Sequence, residues 1–282
     1  MIERNSNILV VGLGLMGGSY AQRLSDIGYN VYGIDINENA IRLAKKENVI
    51  LNNDEDDATL IKKCQIIICC LYPSDTASWI IDNQHLFNAN TIISDISGVK
   101  SNIVDKIQSS LRSDVEFISM HPMAGRESKG FENRDTNIFL PANMIIVPTI
   151  KNSKKAIDFA YDLSILLRFK NVESLSVEEH DKMIGYLSQL PHALAVALIN
   201  CRESSHLHKY TGDSFRDLTR IAKINETLWT ELFFENKDNL LPLIDSFVQE
   251  LNKLKDYIEN EESDNLKAMF IESTRRRKAF DK

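Results

Sequence analysis

Apolar residues along this chain fall into two textures, with short strand-length runs first and helical spacing afterwards. Residues 8–11, 31–34, 66–71, 91–94, 115–119 and 144–147 form runs rich in Ile and Val that read as strands. Amphipathic stretches over 19–28, 39–47 and 102–111 alternate with them and read as helices. This alternation predicts an α/β unit with a parallel, doubly wound sheet, finished by a helix over 156–167 and a short strand over 171–175. From Ser176 the strands cease. Ser176-Val177-Glu178-Glu179 has the form of a capping box, a helix start in which serine and glutamate side chains satisfy two backbone N–H groups. The boundary is placed there, with a first domain over 1–175 and an all-helical second domain over 176–282. Within the latter, Leu240, Ile244, Phe247, Leu251, Leu254 and Ile258 repeat at alternating steps of four and three. Such a seam packs either inside the subunit or against a second copy.

The first apolar run is followed at once by Gly12-Leu13-Gly14-Leu15-Met16-Gly17, a GxGxxG set between a strand and a helix. Gly12 permits the tight turn, Gly14 lets backbone N–H groups approach a pyrophosphate, and Gly17 lets helix and strand pack closely. The helix N-terminus adds positive potential. Asp35 ends the second run at the distance where a carboxylate meets an adenosine ribose. A carboxylate accepts from a 2′-hydroxyl and repels a 2′-phosphate, and Ile36 and Asn37 offer no arginine clamp, so NAD is favoured over NADP. Leu71-Tyr72-Pro73 leaves the 66–71 run toward the same crevice, where Leu71 and Pro73 either line the cofactor or merely end the strand. Together these features predict a Rossmann-type domain.

Composition narrows the alternatives. The 282 residues give room for two domains, and 43% hydrophobic with 26% charged residues is ordinary for a globular protein. A net charge of −7 disfavours nucleic acid and anionic membranes as partners, so an anionic ligand needs local cations. The longest apolar run, 66–71, is too short to span a membrane, and the polar residues 1–7 leave no room for a signal peptide. The four cysteines form no paired framework and read as reduced, buried thiols of a cytoplasmic protein, with Cys69 and Cys70 on opposite faces of a strand. No metal site is expected. The basic run Arg275-Arg276-Arg277-Lys278 reads as a solvated helix end.

Three groups carry candidate chemistry. His121 follows the 115–119 strand, at the carboxyl end where open α/β sheets bind ligands, and an imidazole there suits removal of a hydroxyl proton. Asp181, Ser188 and His192, spaced by seven and four, fall on one stripe of an apolar helix that Pro191 interrupts. Phe215-Arg216-Asp217-Leu218-Thr219-Arg220 puts two arginines on one helix face, and a guanidinium binds a carboxylate bidentately. On the residues alone, a histidine bonded within its loop, a capped core histidine and a surface ion pair remain open for the three groups.

Taken in order, the glycine loop, His121-Pro122-Met123-Ala124-Gly125 with Gly130-Phe131, Glu179-His180-Asp181, Leu190-Pro191-His192 and Phe215 through Ala222 resemble the prephenate dehydrogenase family. That family includes arogenate and cyclohexadienyl dehydrogenases, and the similarity covers nearly the whole chain. The resemblance implies an NAD-dependent oxidative decarboxylation on the route to tyrosine, carried out by a Rossmann domain and a helical domain that forms a homodimer. It implies that His121 accepts the ring-hydroxyl proton, that Arg220 binds a substrate carboxylate, and that Ser188 and His192 contact substrate. It also implies that Trp229 approaches the pocket, from the same subunit or the other.

This sequence departs from the family at three places. Asp95-Ile96-Ser97-Gly98-Val99-Lys100 has Gly98 where the family commonly has serine, Arg126 stands where threonine is common, and Thr211-Gly212-Asp213-Ser214 replaces a glycine-rich turn. If Arg126 points inward rather than pairing with Glu127 or another surface acid, it adds a second cation for a dianionic substrate. Two other readings compete. A β-hydroxyacid dehydrogenase or imine reductase would need a catalytic lysine, here Lys182 or Lys209, and an NAD-sensing module would need no acid-binding pocket.

Overall fold

The apolar runs become a seven-stranded sheet in the computed structural model, which describes residues 2–126, 128–203 and 206–281. Its strands are β1 (Asn7–Val11), β2 (Asn30–Ile34), β3 (Ile66–Cys69), β4 (Ile92–Asp95), β5 (Glu116–Pro122), β6 (Asn143–Val147) and β7 (Asn171–Ser174). They lie in the order β2-β1-β3-β4-β5-β6-β7. The first five are parallel, β6 runs antiparallel to β5, and β7 is parallel to β6. The expectation of a parallel sheet is therefore corrected at β6, because apolar periodicity reports which face a residue takes but not its strand's direction.

Alternation along the strands fills two cores. Ile8 and Val10 point to one face and Leu9 and Val11 to the other. The helices α1 (Leu15–Asp26), α2 (Glu38–Lys46) and α6 (Lys154–Leu166) cover the first face. The second is covered by α3 (Asp57–Lys63), α4 (Pro73–Asn83) and α5 (Ser101–Ser110). Each fully buried Ile, Leu or Val contributes roughly 1.5–3 kcal/mol. The acid-rich stretch before α3 hides that helix in the sequence, although Asp56 caps it by accepting the Thr59 N–H at 2.8 Å. Pro73 opens α4, where its missing N–H is harmless.

Past β7 come α7 (Val177–Ile184), a π turn over Gly185–Gln189, α8 (Leu190–Asn200), α9 (Asp213–Thr219) and α10 (Glu226–Glu235). The capping box forms: Ser176 Oγ accepts the Glu179 N–H at 3.2 Å and Glu179 Oε2 accepts the Ser176 N–H at 3.0 Å. These helices share one compact unit, Met1–Asn236, with the sheet. A second unit, Lys237–Lys282, holds α11 (Lys237–Glu259) and α12 (Ser263–Arg277). Along α11 the apolar seam stays largely open, with Leu251 52% and Ile258 60% exposed, while Leu240 is buried.

Cys69 and Cys70 do pack toward opposite faces, but Cys201 is exposed, which corrects the expectation of four buried thiols. Among the described residues no helix is long and apolar enough to cross a membrane. In the basic tail, Arg275 and Arg276 pair with Glu272 and Arg277 with Asp281.

Candidate active site

Strand order reverses at β1, between β2 and β3, which opens a crevice at their carboxyl ends. The glycine loop crosses it. Gly12 takes φ +89°, and a Cβ on Gly17 would lie 1.8 Å from the Gly12 carbonyl oxygen, so helix α1 cannot start here with any larger residue. Gly14 is the N-cap of α1 and has no side chain to accept the first helical N–H groups, while a Cβ there would meet open space. Such an arrangement can cradle phosphate oxygens. Leu13 buries its side chain in the core and gives its N–H to Asp35 Oδ2 at 2.5 Å, while Asp35 Oδ1 accepts from Asn37 N at 2.7 Å. The carboxylate is thus locked beside the loop, just past the end of β2, and could meet a ribose there.

A cavity of about 770 Å³ opens from this loop. Gly14, Leu15, Met16, Gly17, Leu71 and Pro73 line its nucleotide side, and His121, Ser188, His192, Arg220 and Trp229 line the other. One cavity therefore joins almost all the residues singled out in the sequence. Asp181 does not line it: the π turn carries an extra residue per turn, which breaks the 100° phase on which the stripe rested.

His121 lies inside β5, not beyond it. The strand runs on to Pro122 because β6 pairs with Ser119 through Pro122. On its other edge β5 pairs with β4 only as far as Ile118. There the Asp95 side chain takes over, accepting from Ser119 Oγ at 2.7 Å and Met120 N at 3.1 Å. Asp95 also holds the fully buried Lys100 ammonium at 3.0 Å, whose remaining hydrogen bond goes to the Met120 carbonyl at 2.7 Å.

His121 Nδ1 sits 2.9 Å from His180 Nε2, and His180 Nδ1 sits 2.7 Å from Asp181 Oδ1. His180, buried on α7, was visible only as part of a motif; nothing in the linear order shows that it faces His121. Burial, helped by His180 and Lys100, holds His121 well below the usual histidine pKa. Burial lowers His180 too, against the opposing pull of Asp181. Burial alone would raise Asp181, but hydrogen bonds from His180 and Ser101 outweigh it and hold the carboxyl below its usual range. If His121 is the base, the acid limb of kcat/KM, which belongs to the coupled pair, should fall below pH ~6.5. A limb above that value in a pH–rate profile would contradict this environment.

Gly98 rather than Ser97 faces His121. A Cβ on Gly98 would come within 3.7 Å of His121 Nε2 and 3.2 Å of Leu232. The buried Ser97 hydroxyl has no hydrogen-bond partner among the described residues and so makes no bond to His121.

On the kinked helix, which lines the cavity through His192, the His192 Nδ1 lies 2.8 Å from the Ser188 carbonyl oxygen and must donate to it. Trp229 stacks on His192 of its own chain with centroids 3.7 Å apart. Arg220 opens a 3-10 turn after α9, while Arg216 pairs with Asp213 on the exposed side, so the two arginines do not act together. Arg126 lines the cavity, but its guanidinium is engaged by Asp135 at 2.6 Å. Glu127, the other expected partner, lies outside the described residues. Lys182 pairs with Glu178 at the surface, and neither it nor Lys209 lines the cavity. Residues not anticipated from the sequence include Lys129, Lys223 and Asn225, which donates to Tyr72 Oη at 2.8 Å.

A nucleotide cradle at the switch point, sharing a cavity with a neutral histidine, places this fold among the nucleotide-dependent dehydrogenases. The family model for the prephenate dehydrogenase nucleotide-binding domain matches residues 20–171, and that for the prephenate dehydrogenase dimerization domain matches 176–272. Prephenate dehydrogenase of Bacillus subtilis is 29% identical over 94% of this chain and 74% of its own length. Cyclohexadienyl dehydrogenase of Zymomonas mobilis is 26% identical over 97% and 96%. The crystal structure of prephenate dehydrogenase from A. aeolicus, in complex with hydroxyphenyl propionate and NAD+, superposes with a TM-score of 0.89 at 30% identity, covering 99% of this chain and all of that one. This chain belongs to the prephenate dehydrogenase family.

Proposed function

We propose that the protein oxidatively decarboxylates prephenate to 4-hydroxyphenylpyruvate with NAD as the oxidant. The observation that carries the choice of substrate is the charge of the cavity wall. Among its described lining residues are the cationic side chains of Lys129, Arg220 and Lys223, together with Arg126, whose charge Asp135 already meets, and no carboxylate, in a chain of net charge −7. Prephenate carries two carboxylates, whereas arogenate replaces the keto acid with an ammonium-bearing amino acid that finds no counter-ion among the described residues of this wall. At 4 Å each like-charge contact costs from about 1 kcal/mol in water to about 4 near a protein surface.

In this reading Arg220 clamps a carboxylate, and Trp229, stacked on His192, offers an apolar plane beside the substrate ring. His121 Nε2 accepts the ring-hydroxyl proton. NAD, when bound, accepts the hydride from the same carbon. The electron pair of the bond to the departing CO2 enters the ring and completes its aromaticity. The glycine cradle and Asp35 orient the nucleotide through its phosphates and ribose.

NADH absorbance on mixing the protein with prephenate and NAD tests the activity, and kcat/KM for arogenate tests the substrate. A larger kcat/KM for arogenate would overturn the choice. Asp35 is expected to give NAD at least a roughly tenfold advantage over NADP in kcat/KM, and Asp35→Ser should narrow it. Equal use of both cofactors by the unmodified enzyme would remove Asp35 from the ribose site.

The exposed seam on α11, within a segment matched by the dimerization-domain model, supports a homodimer. A monomeric mass by light scattering at micromolar concentration would reject the dimer.

A further inference from the structure

We propose that His180 is a positioning residue: anchored by Asp181, it fixes the tautomer of His121 so that a bare Nε2 faces the substrate hydroxyl. This rests on the reading of His121 as the base, and each assignment in the chain forces the next. The Asp181 carboxylate can only accept. It takes the Lys100 N–H at 2.9 Å on Oδ1, and the Ser101 N–H at 2.8 Å and hydroxyl at 2.6 Å on Oδ2. Its remaining neighbour at hydrogen-bond distance, His180 Nδ1 at 2.7 Å, must therefore carry a hydrogen. A neutral imidazole has one N–H, so His180 Nε2 is an acceptor. His121 Nδ1, 2.9 Å away, must then be the donor, which strips the hydrogen from its Nε2. That Nε2 faces Gly98, where the absence of a side chain leaves the approach from the cavity open.

Both rings are neutral in this arrangement. The charged groups around the pair are Lys100, Asp95 and Asp181, and Lys100 opposes protonation of either ring. The opposite tautomer of His121 would set two lone pairs against each other at 2.9 Å in a buried setting, where such a clash is costly. The carboxylate is itself immobile, because Lys100 and Ser101 lie at the start of α5 and Asn236 donates to the Asp181 backbone carbonyl at 2.9 Å. The relative serine position being Gly98, no side-chain hydroxyl at that site can orient His121 from its Nε2 side.

Two variants of the full-length enzyme separate positioning from bulk. His180→Phe keeps the ring volume and removes the acceptor, whereas His180→Gln can return a carbonyl oxygen near the Nε2 position. For His180→Phe, kcat is expected to fall roughly ten- to a hundredfold, with KM for prephenate and NAD within about twofold of wild type. His180→Gln is expected to recover most of kcat. Long-range 1H–15N spectra should show His121 as the Nδ1–H tautomer in the wild type and in His180→Gln, and a mixture in His180→Phe.

A wild-type spectrum showing Nε2–H overturns the proposal without any variant. So does a folded His180→Phe enzyme with wild-type kcat while His121→Asn is inactive, an outcome that leaves the base reading standing. Should His121→Asn itself keep its activity, the base reading falls and this proposal with it.

Discussion

Replacing His121 by asparagine is expected to lower kcat by roughly two to four orders of magnitude, the usual contribution of a positioned general base. Fold and nucleotide affinity should survive, because His121 sits at the end of β5 facing the cavity and none of its side-chain bonds reaches the glycine loop. Asparagine can still donate toward His180 but has no basic nitrogen at Nε2, so it removes the proton acceptor with little change in packing. Steady-state kinetics with prephenate, alongside NAD titration and a circular dichroism spectrum, check the expectation. If the folded variant retained most of its kcat, another group would have to take the hydroxyl proton. Gln189, Ser188 and His192 line the same cavity, and of these only His192 has a basic nitrogen.

The largest expected effect on stability comes from Asp95→Ala. The Asp95–Lys100 pair has no solvent exposure on either side chain, and burial already pushes the Lys100 ammonium below its ordinary pKa while Asp95 pulls it back up. Without the carboxylate, the ammonium keeps only the Met120 carbonyl, and Ser119 Oγ and the Met120 and Ser97 N–H groups lose their acceptor. Breaking one partner of a buried pair costs about 3–5 kcal/mol, measurable by urea unfolding. The companion variant Asp95→Ala with Lys100→Met removes both charges and should recover part of the loss, since no bare ammonium then remains inside. A loss below about 1 kcal/mol for the single variant would mean that Lys100 sheds its proton or reaches water.

This pair also supports the site: Asp95 closes the free edge of β5 one residue before His121, and Lys100 is adjacent to Ser101, which holds Asp181. Stability and catalytic geometry are therefore coupled here, and losses of activity in Asp95 variants should track unfolding rather than a specific change in proton transfer.

Much of the molecule was legible in the sequence because it is specified locally. Strand-length apolar runs, the capping box at Ser176, the glycine loop between strand and helix, and the aspartate at the end of β2 each depend on residues close along the chain. Helix α3 was missed because a cluster of acids resembles a loop until Asp56 is seen as a cap. Tertiary structure decided the rest. The direction of β6 depends on which edge of β5 is open, the π turn shifts the helix phase by one residue, and Arg126 finds Asp135 across a turn. The contact between His121 and His180 joins residues 59 apart in the chain, through a strand end and a helix start that meet only once β5, β4 and α7 are packed. No periodicity or spacing encodes that meeting. The hydrogen-bond chain from His121 through His180 and Asp181 to the backbone of α5 is likewise a product of packing alone.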